Sequence, residues 1–331
     1  MIEIKGDFKM NKTILIATLA IVFVAGCTQT NLTTIFQQNT NTFVSGTGLV
    51  MTDFSADQPQ AYNAQTDRIM VTVSNKGGHT VPATESLFYL TGQALLKDPT
   101  AAQKAIYWGT TDYLIKPLGA LKPADTVRDT PADEKTISWS MTAPNISRGE
   151  STSYLFIGRT YYKYETKVNG NVWVYSDTEA DAARTSGKTL NKATWSATSG
   201  PVAINAKVTQ DPVILFSGET TFTLVIKVGN AGGGVLYDQG AITSYATTSP
   251  DDLALTSDDI NKVDVAVDVE GTPITTGDCV GTKELVGGKD LTLTCDVSTT
   301  RPTTFASLPI TITASYGYYT ERTTSITVSG R

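Results

Sequence analysis

The sequence predicts an all-β protein, two tandem immunoglobulin-like antiparallel β-sandwiches that follow a signal peptide and a flexible tether. Three observations carry this reading. Apolar residues alternate with polar ones in short runs, as where Asp264 and Asp268 interrupt Val263, Val265, Val267 and Val269, which is the period of strands with one buried face. Gly, Pro, Asn and Asp close these runs at short intervals, and only residues 99–105 and 178–184 suit a turn or two of helix. Finally, the chain repeats itself, and 331 residues suit two domains better than one.

The repeat is read from three ordered matches. Residues 69–73 (IMVTV) run into a turn at Ser74, Asn75, Lys76, Gly77 and Gly78, and residues 222–228 (FTLVIKV) run into Gly229, Asn230, Ala231 and Gly232, so that Asn230 follows Asn75 by 155 residues. Ile137, Trp139 and Met141 alternate with serines as Leu291, Leu293 and Cys295 alternate with threonines, at a shift of 154. Tyr162, Tyr164 and Thr166 fall on Tyr316, Tyr318 and Thr320 at the same 154. The first copy is placed at residues 46–198 and the second at 199–331. The boundary falls in the weakly patterned segment 186–200, before Pro201 opens a strand with Val202, Ile204 and Ala206.

The N-terminus adds a location. Lys5, Lys9 and Lys12 precede an apolar stretch, residues 13–25, that is too short to cross a bilayer of about 30 Å as a helix and reads as a secretory signal. It ends in Val24, Ala25, Gly26 and Cys27, which resembles a lipobox, so residues 1–27 are expected to be a lipoprotein signal with Cys27 lipidated; a plain cleaved signal is the alternative. Residues 28–45 are polar, lack a period, and read as a tether. The expected location is the extracellular face of the cell membrane. The membrane is then the first partner.

Charged residues make up 18% and the net charge is −6, which argues against a phosphate-backbone ligand, and nucleic acid is not an expected partner. Residues 46–54 (GTGLVMTDF), the strand and NxGG turn, the Tyr-x-Tyr-x-Thr close of each copy and residues 230–238 (NAGGGVLYD) also carry a resemblance. They resemble secreted archaeal proteins with tandem immunoglobulin-like (CARDB-like) domains, similar in style to S-layer-like and cell-adhesion modules. That resemblance implies a surface location and no particular chemistry.

Few residues suggest chemistry. With Cys27 assigned to lipid, Cys279 and Cys295 are an even pair in an exported domain and are expected to form a disulfide. Asn31 and Asn145 stand in glycosylation sequons. Tyr107, Trp108 and Tyr113 lie in a stretch with little counterpart in the second copy, and are either a sugar- or protein-binding set or the core of an extra hairpin. Asp251, Asp252, Asp258 and Asp259 are a weak calcium candidate, although their spacing is not that of an EF-hand. The single histidine, His79, has no nucleophile elbow near it and reads as an exposed loop residue. No cofactor and no catalytic residue is expected. The leading expectation is a non-enzymatic surface lipoprotein with a structural or adhesion role, in contact with other surface proteins or glycans. The alternatives are a glycan- or solute-binding lipoprotein, or a filament subunit that donates residues 42–52 to a neighbour's sheet.

Overall fold

The computed structural model describes residues 46–331 except residues 93 and 248. The signal, the tether, Cys27 and Asn31 therefore lie outside the described residues. The described chain is all-β. Its first copy contains β1 (Leu49–Ala56), β2 (Gln60–Tyr62), β3 (Thr66–Asn75), β4 (Ser86–Gly92), β5 (Leu95–Lys97), β6 (Trp108–Thr110), β7 (Ile115–Pro117), β8 (Glu134–Thr142) and the long β9 (Ser151–Ser176). A helix α1 (Asp177–Ser186) and β10 (Thr194–Ala197) connect the copies. The second copy contains β11 (Val202–Val208), β12 (Val213–Leu215), β13 (Thr221–Asn230), β14 (Val235–Tyr237), β15 (Lys262–Val269), β16 (Thr272–Pro273), β17 (Gly281–Glu284), β18 (Asp290–Ser298) and the equally long β19 (Phe305–Ser329).

Alternation builds these strands. In β3, Ile69, Val71 and Val73 are fully buried while Arg68, Met70 and Thr72 beside them are exposed or half-buried. β8 turns Trp139 and Met141 inward onto the same core. Helix α1 is slightly longer than the expected 178–184. The Ser176 side chain caps it by accepting from the Glu179 amide at 3.2 Å, and Gly187 ends it in the left-handed conformation. At residues 99–105 only a single 3₁₀ turn forms, at Gln103–Ala105.

Three sheets result. One has the order β1-β3-β8-β6-β5 and another β11-β13-β18. The third has eleven strands with β16-β15-β19-β9-β4-β7 as its spine. At its centre β19 pairs antiparallel with β9 over its full 25 residues, from Phe305 opposite Tyr175 to Ser329 opposite Ser151.

This ladder changes what the repeat means in space. The early part of β9 is flanked by β4, and the late part of β19 by β2; both face β1, β3 and β8. Past the middle, β9 continues beside β10 and β12, while the early part of β19 lies beside β15, facing β11, β13 and β18. Each long strand therefore serves both sandwiches. The copies exchange short strands in the same way: β12 of the second pairs in parallel with β9, and β2 of the first pairs in parallel with β19. The division at residue 198 separates sequence copies, whereas each sandwich is built from both. One buried cluster runs through the two sandwiches, from Leu49 and Trp139 to Val265 and Cys295.

Candidate functional site

The middle of the β9–β19 ladder concentrates the polar chemistry of the interior. Tyr162 and Tyr164 of β9 alternate inward, as do Tyr316 and Tyr318 of β19. The register sets Tyr162 opposite Tyr318 and Tyr164 opposite Tyr316, and the four rings close a quartet with centroid separations of 5.8, 5.8, 6.2 and 6.3 Å. Such ring pairs contribute about 0.5–1.5 kcal/mol each beyond their buried area. Burial pushes all four hydroxyls above the ordinary tyrosine range, Tyr164 to about 12. They remain protonated, as neutral hydrogen-bonding groups and not as bases.

Three of these hydroxyls are tied to the fold. Tyr164 accepts from the His79 backbone amide at 3.0 Å. Tyr318 accepts from the Gly234 amide at 2.8 Å and donates to Asn230 at 3.0 Å. Tyr316 accepts from the Val202 amide at 3.2 Å and shares a 2.8 Å hydrogen bond with the Thr166 hydroxyl. The turn asparagines explain the NxGG repeat: Asn75 donates to the His79 carbonyl and Asn230 to the Gly234 carbonyl, so each holds the turn that reaches a tyrosine.

The fourth hydroxyl breaks the symmetry. Tyr162 is approached by the Leu49 amide, as Tyr316 is by that of Val202, but its threonine counterpart does not meet it. Thr320 occupies the repeat position of Thr166, and its Oγ1 is buried with no hydrogen-bond partner among the described residues. Leaving such a hydroxyl unmet costs roughly 1–3 kcal/mol. Between Tyr162 and Thr320 lies a cleft of about 190 Å³. The start of β1, Pro201 and the Gly232–Gly233 turn form one side, and Tyr318, Thr320, Glu321 and Arg322 the other. On the Thr166 side the Gly200 backbone packs close: a Cβ there would collide with the Thr166 hydroxyl. Glu321 pairs with Arg159 at 2.7 Å. The Arg322 side chain is exposed and has no acceptor among the described residues.

The opposite face of the ladder is closed. Tyr161, Tyr237 and Tyr319 pack together there, covered by Ile242, Tyr245 and Leu253 from a second-copy insertion, and the Tyr237 and Tyr245 hydroxyls meet at 2.8 Å. A wider depression beside Glu270 and Thr299 includes Arg301, whose guanidinium is already held by Asp177 and the Leu215 carbonyl.

The residues singled out from the sequence are scattered. Cys279 and Cys295 form a disulfide with Cα atoms 5.4 Å apart. It joins β18 to the loop before β17 and so ties the two sheets of the second sandwich together. Asn145 is exposed, just after β8. Of the two readings of the aromatic stretch, Trp108 takes the core one: it is fully buried against Tyr154 and Phe156, and its strand β6 lies between β8 and β5. Tyr107 is half-buried, and Tyr113 is exposed with the Lys97 ammonium 4.8 Å from its ring centre.

The weak calcium candidate falls on turn-capping residues. Asp252 accepts from Thr247 and Asp259 caps its own turn through the Thr256 amide and hydroxyl, and no three metal-ligating side chains converge among the described residues. His79 is half-buried and not the exposed loop residue expected. It packs edge-on to Tyr164 with Nδ1 4.0 Å from Glu165, and burial lowers its pKa. Sequence reasoning missed the cleft, since the repeat makes Thr166 and Thr320 identical and only the neighbouring backbone distinguishes them.

No family model and no curated protein matches this chain. Among solved structures, it is similar to red sea bream transglutaminase at 9% identity and a TM-score of 0.18, over 84% of this chain and 31% of that one. It is also similar to the C-terminal globular domain of an oligosaccharyltransferase from Pyrococcus abyssi, at 10% identity and a TM-score of 0.18, over 82% of this chain and 46% of that one. This chain thus spans less than half of either. Likenesses at this level identify no family.

Proposed function

We propose that this chain is a surface lipoprotein, anchored through Cys27, whose strand-sharing sandwiches act as a stiff structural or adhesive module. The observation that supports this is the β9–β19 ladder. Strands of this length reach about 80 Å if straight, at roughly 3.3 Å per residue. Because the same two strands run through both sandwiches, no flexible linker separates them, and a load on one sandwich is carried into the other by a continuous ladder. A module that holds a partner at a fixed distance from a membrane benefits from that stiffness.

The alternative filament reading requires β1 to leave β3. That would expose Leu49, Met51 and Phe54, which are now buried. The structural reading needs no such release. Its test is cell fractionation with protease treatment of intact cells: the native protein stays with the membrane and is protease-accessible, and Cys27→Ala releases it into the medium. Equal retention of the variant would overturn the anchor. Retention with protection from protease would overturn the surface location. The second reading, solute or glycan binding, is favoured by the cleft beside Tyr162.

A further inference from the structure

We propose that the outer face of the second sandwich, around Trp173 and Phe305, is a binding platform for a neutral glycan chain. The inference rests on the glycan-binding reading and places the ligand on this open sheet face, away from the cleft beside Tyr162. Past the middle of the ladder, Val168, Val172 and Val174 of β9 and Leu308, Ile310 and Ile312 of β19 take the core, so the residues between them look outward. Trp173 then stands opposite Ser307, Asn171 opposite Pro309 and Asn169 opposite Thr311, all of them exposed or half-buried. The Trp173 and Phe305 rings lie 5.8 Å apart, inclined at 47°, and Phe305 is 50% exposed. The ladder itself does not require rings here. At the 154-residue shift the equivalents of Trp173 and Phe305 are Thr327 and Ser151, in the same antiparallel pairing on the other sandwich. Two rings kept in water where the fold accepts a threonine and a serine are surface for a partner.

The groups beside the rings are donors held in place. Ser307 donates to Asn171 Oδ1 at 2.5 Å and Thr311 to Asn169 Oδ1 at 3.1 Å. Each amide oxygen is thus tied to β19, and each Nδ2 keeps its hydrogens without an acceptor among the described residues. Trp173, Asn171 and Asn169 make a row about 13 Å long, at roughly 3.3 Å per residue. Charge selects the ligand. Residues 169–173 of β9 and 305–311 of β19 include no charged side chain. At their border Lys167 is neutralised by Glu165 at 2.6 Å, and the Asp268 carboxylate accepts from the Gly271 amide at 2.7 Å. Such a face has no charge to draw an acidic polymer or a basic peptide. It complements a neutral polymer of hydroxyl groups and C–H faces, whose sugar rings stack on the aromatics while the amides donate to the hydroxyls. An open face admits a chain laid across it, where a single small ligand calls for a concave pocket.

Acrylamide quenching of the mature chain reads the site directly, because Trp173 is the one tryptophan of four that is not buried. The probes are a soluble β-glucan, a mannan and a galactan, with polygalacturonate as the acidic control. At least one neutral polymer should bind saturably, at least tenfold tighter than polygalacturonate, and should shield the Trp173 emission from acrylamide. Trp173→Thr and Phe305→Ser, which copy the equivalent positions of the other sandwich, should each weaken that binding tenfold or more. Asn171→Ala removes an outward amide and no packed ring, so it should weaken binding with the melting temperature unchanged, which separates loss of ligand from loss of fold. Saturable binding of a neutral polymer that all three variants leave intact, or that leaves the quenching unchanged, would keep the glycan reading and overturn this site. Binding of no neutral polymer, or equal binding of polygalacturonate, would overturn both. A concentration-dependent dimer that Trp173→Thr abolishes would also overturn the proposal, by giving the face to a second copy of this chain. None of these outcomes bears on membrane release by Cys27→Ala.

Discussion

Lys163 and Gly317 face each other at the midpoint of the β9–β19 ladder. Gly317 also follows Lys163 by 154 residues, the shift that superposes the two sequence copies. A residue paired with its own repeat equivalent marks a pseudo-twofold axis, and here the axis passes through the shared ladder. The tyrosine quartet surrounds this point on one face, and the Tyr161, Tyr237 and Tyr319 cluster on the other.

Gly317 is glycine because Tyr237 lies against it; a Cβ would enter the ring. Gly317→Ala should destabilise the protein by about 1–3 kcal/mol, the usual cost of overpacking. Urea unfolding checks this. An alanine variant as stable as the native protein would show that the insertion carrying Tyr237 yields easily.

The quartet predicts alkaline unfolding. A buried tyrosine with a raised pKa holds its proton more tightly when folded, so its contribution to stability is complete below the unfolded value of about 10 and is lost as pH rises through the folded value. For Tyr164 that value is about 12, and Tyr162, Tyr316 and Tyr318 are shifted in the same direction. Stability should therefore fall steeply above about pH 10, with the buried tyrosines ionising only as circular dichroism reports unfolding. Tyrosinate absorbance that rises on an intact fold near the ordinary value would contradict it.

Trp108 and Tyr113 separate packing from surface. Trp108→Ala should remove about 3–5 kcal/mol, because a fully buried ring leaves a cavity against Phe156. Tyr113→Ala should change stability by less than about 0.5 kcal/mol, as an exposed side chain does. Thermal melts of the two variants test both statements, and a neutral Trp108→Ala would place that indole outside the core.

Much of this fold is legible in the sequence. The alternation in residues 263–269 becomes β15, Pro201 opens β11, and the matched Tyr-x-Tyr-x-Thr closes become the two halves of one quartet. The exchange of strands is not legible, because period-two alternation says which face is buried and not which strand is the neighbour. Residues 151–176 alternate inward with equal regularity before and after the axis, so nothing local reveals that their second part serves the other sandwich. Trp108 was ambiguous for a related reason, since a short strand such as β6 is too brief to display a period. The disulfide was legible from cysteine parity alone. The cleft was not, because it depends on where the Gly200 backbone runs.

The central claim is that the two sandwiches share their strands and form one cooperative unit, and the Cys279–Cys295 bond allows the most direct test. That bond lies in the second sandwich and closes a loop over a separation of 16 residues. On the chain-entropy model its loss removes about 3 kcal/mol. Differential scanning calorimetry of the oxidised protein should show a single transition with equal calorimetric and van't Hoff enthalpies. For Cys279→Ser/Cys295→Ser that whole transition should move to lower temperature undivided. Two separable transitions, with only one displaced by the loss of the disulfide, would show independent sandwiches and contradict the shared-strand account.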